Sequence, residues 1–120
     1  MSSLTRTTSG QVLYHRLTRD ELTLDRTLLA EHGRTARTLV KEGPLRLTLM
    51  AIAPGRDLPE HSTDGPLSIH VLEGDVVFRG ANEEYSLRTG DVLVFAAGVL
   101  HSARSTGGCV FLLTVVHSPA

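Results

Sequence analysis

The sequence predicts an all-β domain of short antiparallel strands, and two patterns support that prediction. From residue 34 onward, turn-forming pairs such as Pro54-Gly55 and Thr89-Gly90 recur roughly every 8 to 12 residues, which is typical of a sandwich or barrel. Between these turns the side chains alternate with a period of two, most clearly over residues 45–53. A chain of 120 residues is long enough to bury a core around such strands.

The chain divides into three predicted parts. Residues 1–10 are rich in Ser, Thr and Gly and offer little to bury, so we predict a flexible arm. Residues 11–33 form an N-terminal leader that we expect to pack on the outside of the barrel. Residues 34–120 hold the strand and turn signals and form the barrel domain itself.

The leader contains the only predicted helix. Thr18 followed by Glu21 matches a capping box, and Leu28 and Leu29 form with Leu22 an apolar face of a short helix that ends before Gly33. Residues 22–24 also alternate with a period of two, so an extended hairpin remains an alternative for that piece.

The strands supply the predicted core. Residues 45–53 place apolar side chains throughout one face, and the last strand is the apolar run CVFLLTVV, in which Cys109 is predicted to be a buried thiol. The residues predicted to be largely buried are Leu47, Leu49, Ile69, Val71, Val92, Val94, Leu112 and Val115.

Composition argues against several classes of partner. Twelve basic and thirteen acidic residues give a formal net charge of −1, so nothing favours binding to nucleic acid or to an anionic membrane. The first residues lack the apolar segment of a signal peptide, and no apolar run reaches the ~20 residues that cross a bilayer. We therefore expect a cytoplasmic protein. The long apolar last strand and the leader also suggest a homodimer.

Two segments with regular spacing carry the functional signal. In the first, Gly55 is followed after five residues by His61, and Gly74 closes the segment. In the second, Gly90 is followed by Gly98 and then by His101. These spacings resemble the paired motifs of the cupin superfamily, and within it the chain is most similar to small single-domain bacterial cupins. The resemblance implies a jelly-roll barrel of short antiparallel strands over about two thirds of the chain.

In typical members of that superfamily, three imidazoles and one carboxylate hold iron, manganese, nickel or zinc at the barrel mouth. His61 and His101 match two of these positions. The second histidine of the first motif is replaced by Thr63, and its glutamate by Leu67. The resemblance therefore implies a reduced metal site, since two imidazoles are fewer than the three protein ligands usual for catalytic zinc.

His70 is the candidate for a third ligand, but it lies three residues after Leu67. In a regular strand that odd spacing turns the two side chains to opposite faces, and only a bulge would reverse this.

Three hypotheses follow. The first is a barrel that binds a small organic ligand, with His61, Thr63, Leu67 and His101 at the site and no cofactor assigned with certainty. The second is a metal-dependent dioxygenase or isomerase that uses His61, His101 and a non-standard third ligand around a weakly bound Zn, Fe, Mn or Ni ion. The third is a dimeric scaffold without a catalytic site. The sequence favours the first and leaves the catalytic residues and the reaction open.

Overall fold

The computed structural model describes residues 12–17 and 24–118 of the chain. Within these ranges the chain forms a helix and eight strands, which are α1 (Arg26–His32), β1 (Arg34–Glu42), β2 (Leu45–Ile52), β3 (Arg56–His61), β4 (Leu67–Gly80), β5 (Glu83–Arg88), β6 (Val92–Phe95), β7 (His101–Ser105) and β8 (Cys109–Val116). Every pairing between these strands is antiparallel. The predicted all-β jelly-roll barrel is confirmed.

The long strand β4 joins two sheets. Residues 67–74 pair with β8 and β6, and β8 continues through β2 to β1. Residues 75–80 pair with β5 and β7, and β7 continues to β3. Because β4 passes from one sheet into the other, the inner faces of both sheets close over a common interior.

Apolar side chains from both sheets fill this interior. Phe78 lies at its centre, with ring centroids 6.3 Å from Phe95 and 5.7 Å from Phe111, within the range of favourable aromatic contacts. This barrel cluster consists of Ile52, Leu58, Leu67, Ile69, Val71, Val76, Phe78, Leu87, Phe95, Ala103, Cys109, Phe111 and Val115.

The prediction of a buried thiol is confirmed. Cys109 is 5% exposed within the barrel cluster. Burial raises the pKa of its thiol above the ordinary value, because the charged thiolate would lose its hydration there. The thiol therefore stays protonated near neutral pH.

Strand β2 alternates as predicted, but its fully apolar face lies outside the barrel. Leu49 and Ala51 belong to a second, outer cluster, whereas Met50 and Ile52 face the interior. The outer cluster consists of Leu39, Val40, Leu49, Ala51 and Val110, with Leu13, Leu17, Leu24, Leu29, Leu45, Leu47, Leu72 and Leu112 packed against it. Leucines of the leader thus cover the outer face of β2, which is why that face is apolar.

The core prediction is right for four residues and wrong for two. Leu49, Ile69, Val71 and Val115 are buried, and Leu47 and Leu112 are half-buried in the outer cluster.

Val92 and Val94 were the wrong predictions, because they are 58% and 63% exposed. Strand β6 is apolar on both faces, so alternation could not choose between them. Its register with β4 places Phe95 opposite buried Leu67, and this turns both valines outward.

The helix α1 begins at Arg26 and ends where expected, before Gly33. Asp25 caps its N-terminus, since the carboxylate accepts hydrogen bonds of 3.0 Å from the backbone N–H groups of Thr27 and Leu28. Gly33 ends it with φ +79°, a left-handed conformation that glycine adopts without strain. Leu29 packs on the outer cluster as expected, but Leu28 is exposed.

The predicted capping box of Thr18 and Glu21, together with Leu22, lies outside the described residues, as does the predicted arm. In the parts that the structure describes, the helix is too short to cross a lipid bilayer.

The outward orientation of β6 gives a direct stability test. Val71→Ala, at a fully buried site, is expected to lower the free energy of unfolding by about 2–3 kcal/mol, since two methyl groups leave a filled core. The same substitution at exposed Val94 is expected to change it by no more than about 0.5 kcal/mol. Urea unfolding followed by far-UV circular dichroism measures both values. Equal losses would contradict the assigned register.

Candidate functional site

Two histidines that are 40 positions apart in sequence meet where β3 ends and β7 begins. Gly55, at the turn before β3, donates its backbone N–H to the carbonyl of Ser105 at the far end of β7 over 2.8 Å. The two strands then run antiparallel until His61 lies opposite His101. The register shifts between Leu58 and His61, and such irregularities re-aim side chains.

The two imidazole rings are in direct contact. Their Nε2 atoms are 3.1 Å apart, and the rings meet edge to face with centroids separated by 4.3 Å. His101 is 2% exposed and stacks nearly parallel on Phe95 at 4.9 Å, whereas His61 is open to solvent. The pair thus joins the buried interior of the barrel to its surface.

The three hydrogen bonds of the pair require one more N–H than two neutral imidazoles provide. Nδ1 of His61 donates to the carbonyl of Pro59, and Nδ1 of His101 donates to the carbonyl of Val99, both over 2.9 Å. Each neutral ring has only one N–H, so both Nε2 atoms then present lone pairs to each other. A proton or another cation between them turns this repulsion into attraction.

Burial makes the inner ring of the pair harder to protonate. It lowers the pKa of His101 below the ordinary value, and the nearby His61 lowers it further, although the hydrogen bond to the Val99 carbonyl acts in the opposite direction. The buried ring of His101 therefore tends to stay neutral, and its Nε2 can accept a hydrogen bond.

The pair lies on the wall of a cavity inside the barrel. The cavity has a volume of about 270 Å³, and Arg34, Met50, Leu58, Pro59, His61, Phe78, His101, Phe111 and Leu113 line it. Six of these nine residues are apolar, and none is acidic. Arg34 and the two histidines are therefore the polar side chains that a bound molecule would meet.

Arg34 reaches the cavity because of its register. It opens β1 directly opposite Ile52 of β2, and directly opposed residues of antiparallel strands point to the same face. Ile52 belongs to the barrel cluster, so Arg34 leaves its strand on the cavity side. Within the described ranges, no carboxylate lies within ion-pair distance of Arg34.

Two of the residues that the sequence placed at the ligand site have other contacts. The hydroxyl of Thr63 donates to the carbonyl of Gly65 over 2.8 Å, within the loop after β3. Leu67 is buried in the barrel cluster. Neither lines the 270 Å³ cavity, and a ligand contact by either residue stays a prediction.

His70 lies on the outer face of β4, away from the histidine pair. It is half-buried and alternates with inward-facing Ile69 and Val71, as the spacing from Leu67 predicted. The irregularity in β4 falls after Val71 and therefore does not reorient His70.

The histidine pair is suited to two positions around one metal ion but not to a full protein ligand set. Nitrogen atoms 3.1 Å apart can both bind an ion at about 2.1 Å. However, the described part of the chain brings no three His, Cys, Asp or Glu side chains together as metal ligands. The residues present therefore do not fit a metal held by three or four protein groups.

Sequence reasoning missed most of the cavity wall. Arg34, Met50, Phe78 and Phe111 come from four different strands, and no local motif links them. The strand pairing was the missing information, because opposed residues share a face. Once β1 is set against β2 in its register, the position of Arg34 follows.

Comparison with known proteins agrees with this architecture. The family model described as "Cupin domain" matches residues 48–116, more than half of the chain. A search of curated proteins finds no match.

Several solved structures resemble the fold. A cupin superfamily protein from Desulfitobacterium hafniense is 20% identical with a TM-score of 0.69, and the match covers 72% of this chain and 80% of that one. A conserved protein of unknown function from Streptococcus pyogenes is 24% identical with a TM-score of 0.69, covering 92% and 99%. Salicylate 1,2-dioxygenase from Pseudoaminobacter salicylatoxidans is 18% identical with a TM-score of 0.74, and the match covers 86% of this chain but 32% of the enzyme. At these identities the likeness concerns the fold alone.

Proposed function

This chain belongs to the cupin domain family, and from that premise we propose that its barrel binds a small organic molecule through the cavity at the His61–His101 pair. The observation that carries the proposal is the composition of the cavity wall. A concave space with mostly apolar walls and a few converging polar groups is the usual form of a small-molecule site.

The polar end of the cavity supports binding without a resident metal. Both imidazoles are fixed by backbone carbonyls at Nδ1, so their Nε2 atoms keep one orientation. A fixed nitrogen contributes to binding without first losing rotational freedom. The same pair could exchange a proton with a bound molecule, because imidazole changes charge near neutral pH.

A fragment screen in which the cavity can be blocked tests the proposal. Leu113 lines the cavity and is half-buried, so Leu113→Trp is expected to fill the space. Leu100, which is 54% exposed and lies outside this cavity, provides the control Leu100→Trp. Thermal unfolding is measured for all three proteins with neutral, anionic and cationic fragments of one ring or up to eight carbons.

At least one fragment class should raise the melting temperature of the wild type and of Leu100→Trp, but not that of Leu113→Trp, because a ligand stabilises only the form that binds it. A screen without stabilising fragments would overturn the proposal. Stabilisation that persists in Leu113→Trp would overturn it too, since binding would then lie elsewhere.

The metal-dependent alternative rests on the 3.1 Å approach of the two Nε2 atoms. Elemental analysis of protein purified without a His tag distinguishes it from the main proposal. Near-stoichiometric metal that disappears in the double variant His61→Ala, His101→Ala would favour the metalloenzyme. Metal well below one per chain in both samples would favour the metal-poor cavity. A homodimer, a cytoplasmic location and a purely scaffolding role stay predictions from the sequence.

A further inference from the structure

We infer that the molecule bound in this cavity is a small organic anion, a monocarboxylate with an apolar body, and that Arg34 binds its carboxylate. This inference rests on the proposed function and adds the chemical class of the ligand. Its basis is the distribution of charge around the cavity.

Arg34 supplies the fixed positive charge. A guanidinium group stays protonated throughout the physiological pH range, and it pairs with carboxylates through two parallel hydrogen bonds. Among the described residues, no acidic side chain lines the cavity and no carboxylate lies within ion-pair distance of Arg34. Arg34 is exposed at the mouth of an apolar space and has no counter-ion among the described residues, so a bound anion could pair with it.

The histidine pair adds no negative charge to the cavity wall. Nδ1 of each ring donates to a backbone carbonyl, and the two Nε2 atoms lie 3.1 Å apart. A cationic ligand would therefore meet Arg34 on a wall whose described lining contains no acidic group.

The size and lining of the cavity determine the rest of the molecule. An engineered cavity of about 150 Å³ holds benzene, so about 270 Å³ gives room for one ring and a carboxylate, or for a short alkyl chain. Phe78 and Phe111 form part of the wall, together with Met50, Leu58 and Leu113. These side chains favour an apolar body over a polar one such as a sugar.

Matched acids and amides test the inference. Benzoate, cyclohexanecarboxylate and hexanoate are compared with their primary amides by isothermal titration calorimetry at fixed ionic strength. Each amide keeps the shape of its acid and lacks the charge. We expect at least one carboxylate to bind the wild type about tenfold or more tightly than its amide, in keeping with the strength of a charge-assisted hydrogen bond.

Variants of two arginines test whether Arg34 is the residue that binds the carboxylate. Arg34→Gln is expected to weaken carboxylate binding about tenfold with little effect on the amide, whereas Arg34→Lys keeps the charge but loses the paired hydrogen bonds and is expected to retain only part of the affinity. Arg56→Gln is the control, because Arg56 is exposed as Arg34 is but does not line the cavity. Circular dichroism verifies that each variant is folded.

The outcomes separate this inference from the proposed function. Amides that bind as tightly as the acids would overturn the anion but leave a ligand-binding cavity. Equal losses in Arg34→Gln and Arg56→Gln would also overturn the role of Arg34, since they would show only long-range attraction. If none of the three carboxylates binds while neutral or cationic fragments still stabilise the wild type, the inference is wrong and the proposed function stands.

Discussion

Gly74→Ala is expected to destabilise the protein by about 2–5 kcal/mol. Gly74 has φ +80°, where an L residue carries a penalty of roughly 1–2 kcal/mol. An added Cβ would also lie 2.1 Å from the carbonyl oxygen of Gly108, and that oxygen belongs to the backbone and cannot rotate away. Crowding of this kind adds about 1–3 kcal/mol. Urea unfolding of the variant and the wild type measures the loss.

Gly90→Ala is the matched control, because it shares the backbone conformation but not the crowding. Gly90 has φ +94°, and an added Cβ would meet no atom within 4 Å. Its expected loss is only about 1–2 kcal/mol. The difference between the variants therefore measures the close approach of Gly74 to Gly108. Equal losses would show that residue 108 moves aside at no cost, contrary to the packing described above.

Phe78→Ala is expected to lower the free energy of unfolding by about 3–5 kcal/mol. The ring is 2% exposed, contacts Phe95 and Phe111, and forms part of the cavity wall. Its removal leaves a void between the two sheets that the surrounding strands cannot fill without breaking their hydrogen bonds.

Tyr14→Ala provides a comparison for Phe78→Ala, since Tyr14 is also aromatic but is 66% exposed in the leader. We expect it to change stability by no more than about 0.5 kcal/mol. Chemical denaturation of both variants at one temperature gives the comparison. A loss below about 1 kcal/mol for Phe78→Ala would mean that the two sheets do not depend on this ring for their packing.

The sequence was most informative where local physics decides the structure. Turn residues at regular spacing and period-two alternation predicted the strands, and the left-handed conformations of Gly55, Gly74, Gly90 and Gly98 agree with their positions in the motifs. The end of α1 at Gly33 was predicted for the same reason. Each of these features depends on a few residues that are neighbours in the sequence, so the sequence alone can predict it.

Alternation could not decide which face of a strand is interior when both faces carry apolar residues. Residues 92–95 are all apolar, and only the pairing with β4 turns Val92 and Val94 to solvent. In β2 the fully apolar face packs under the leader, whereas Met50 and Ile52 line the barrel. Contacts with the leader and with neighbouring strands, which are remote in sequence, determine which face of β2 and of β6 is interior.

For the site too, the sequence predicted some features and the tertiary structure decided others. The resemblance to the cupin motifs identified His61 and His101 as a candidate pair, and Thr63 and Leu67 at the other expected ligand positions implied a reduced metal site. Only the tertiary structure set the two Nε2 atoms 3.1 Å apart and turned Arg34 toward their cavity. Motif spacing reports which residues lie at strand ends, but the register between strands decides which side chains meet, since a shift of one residue reverses every face.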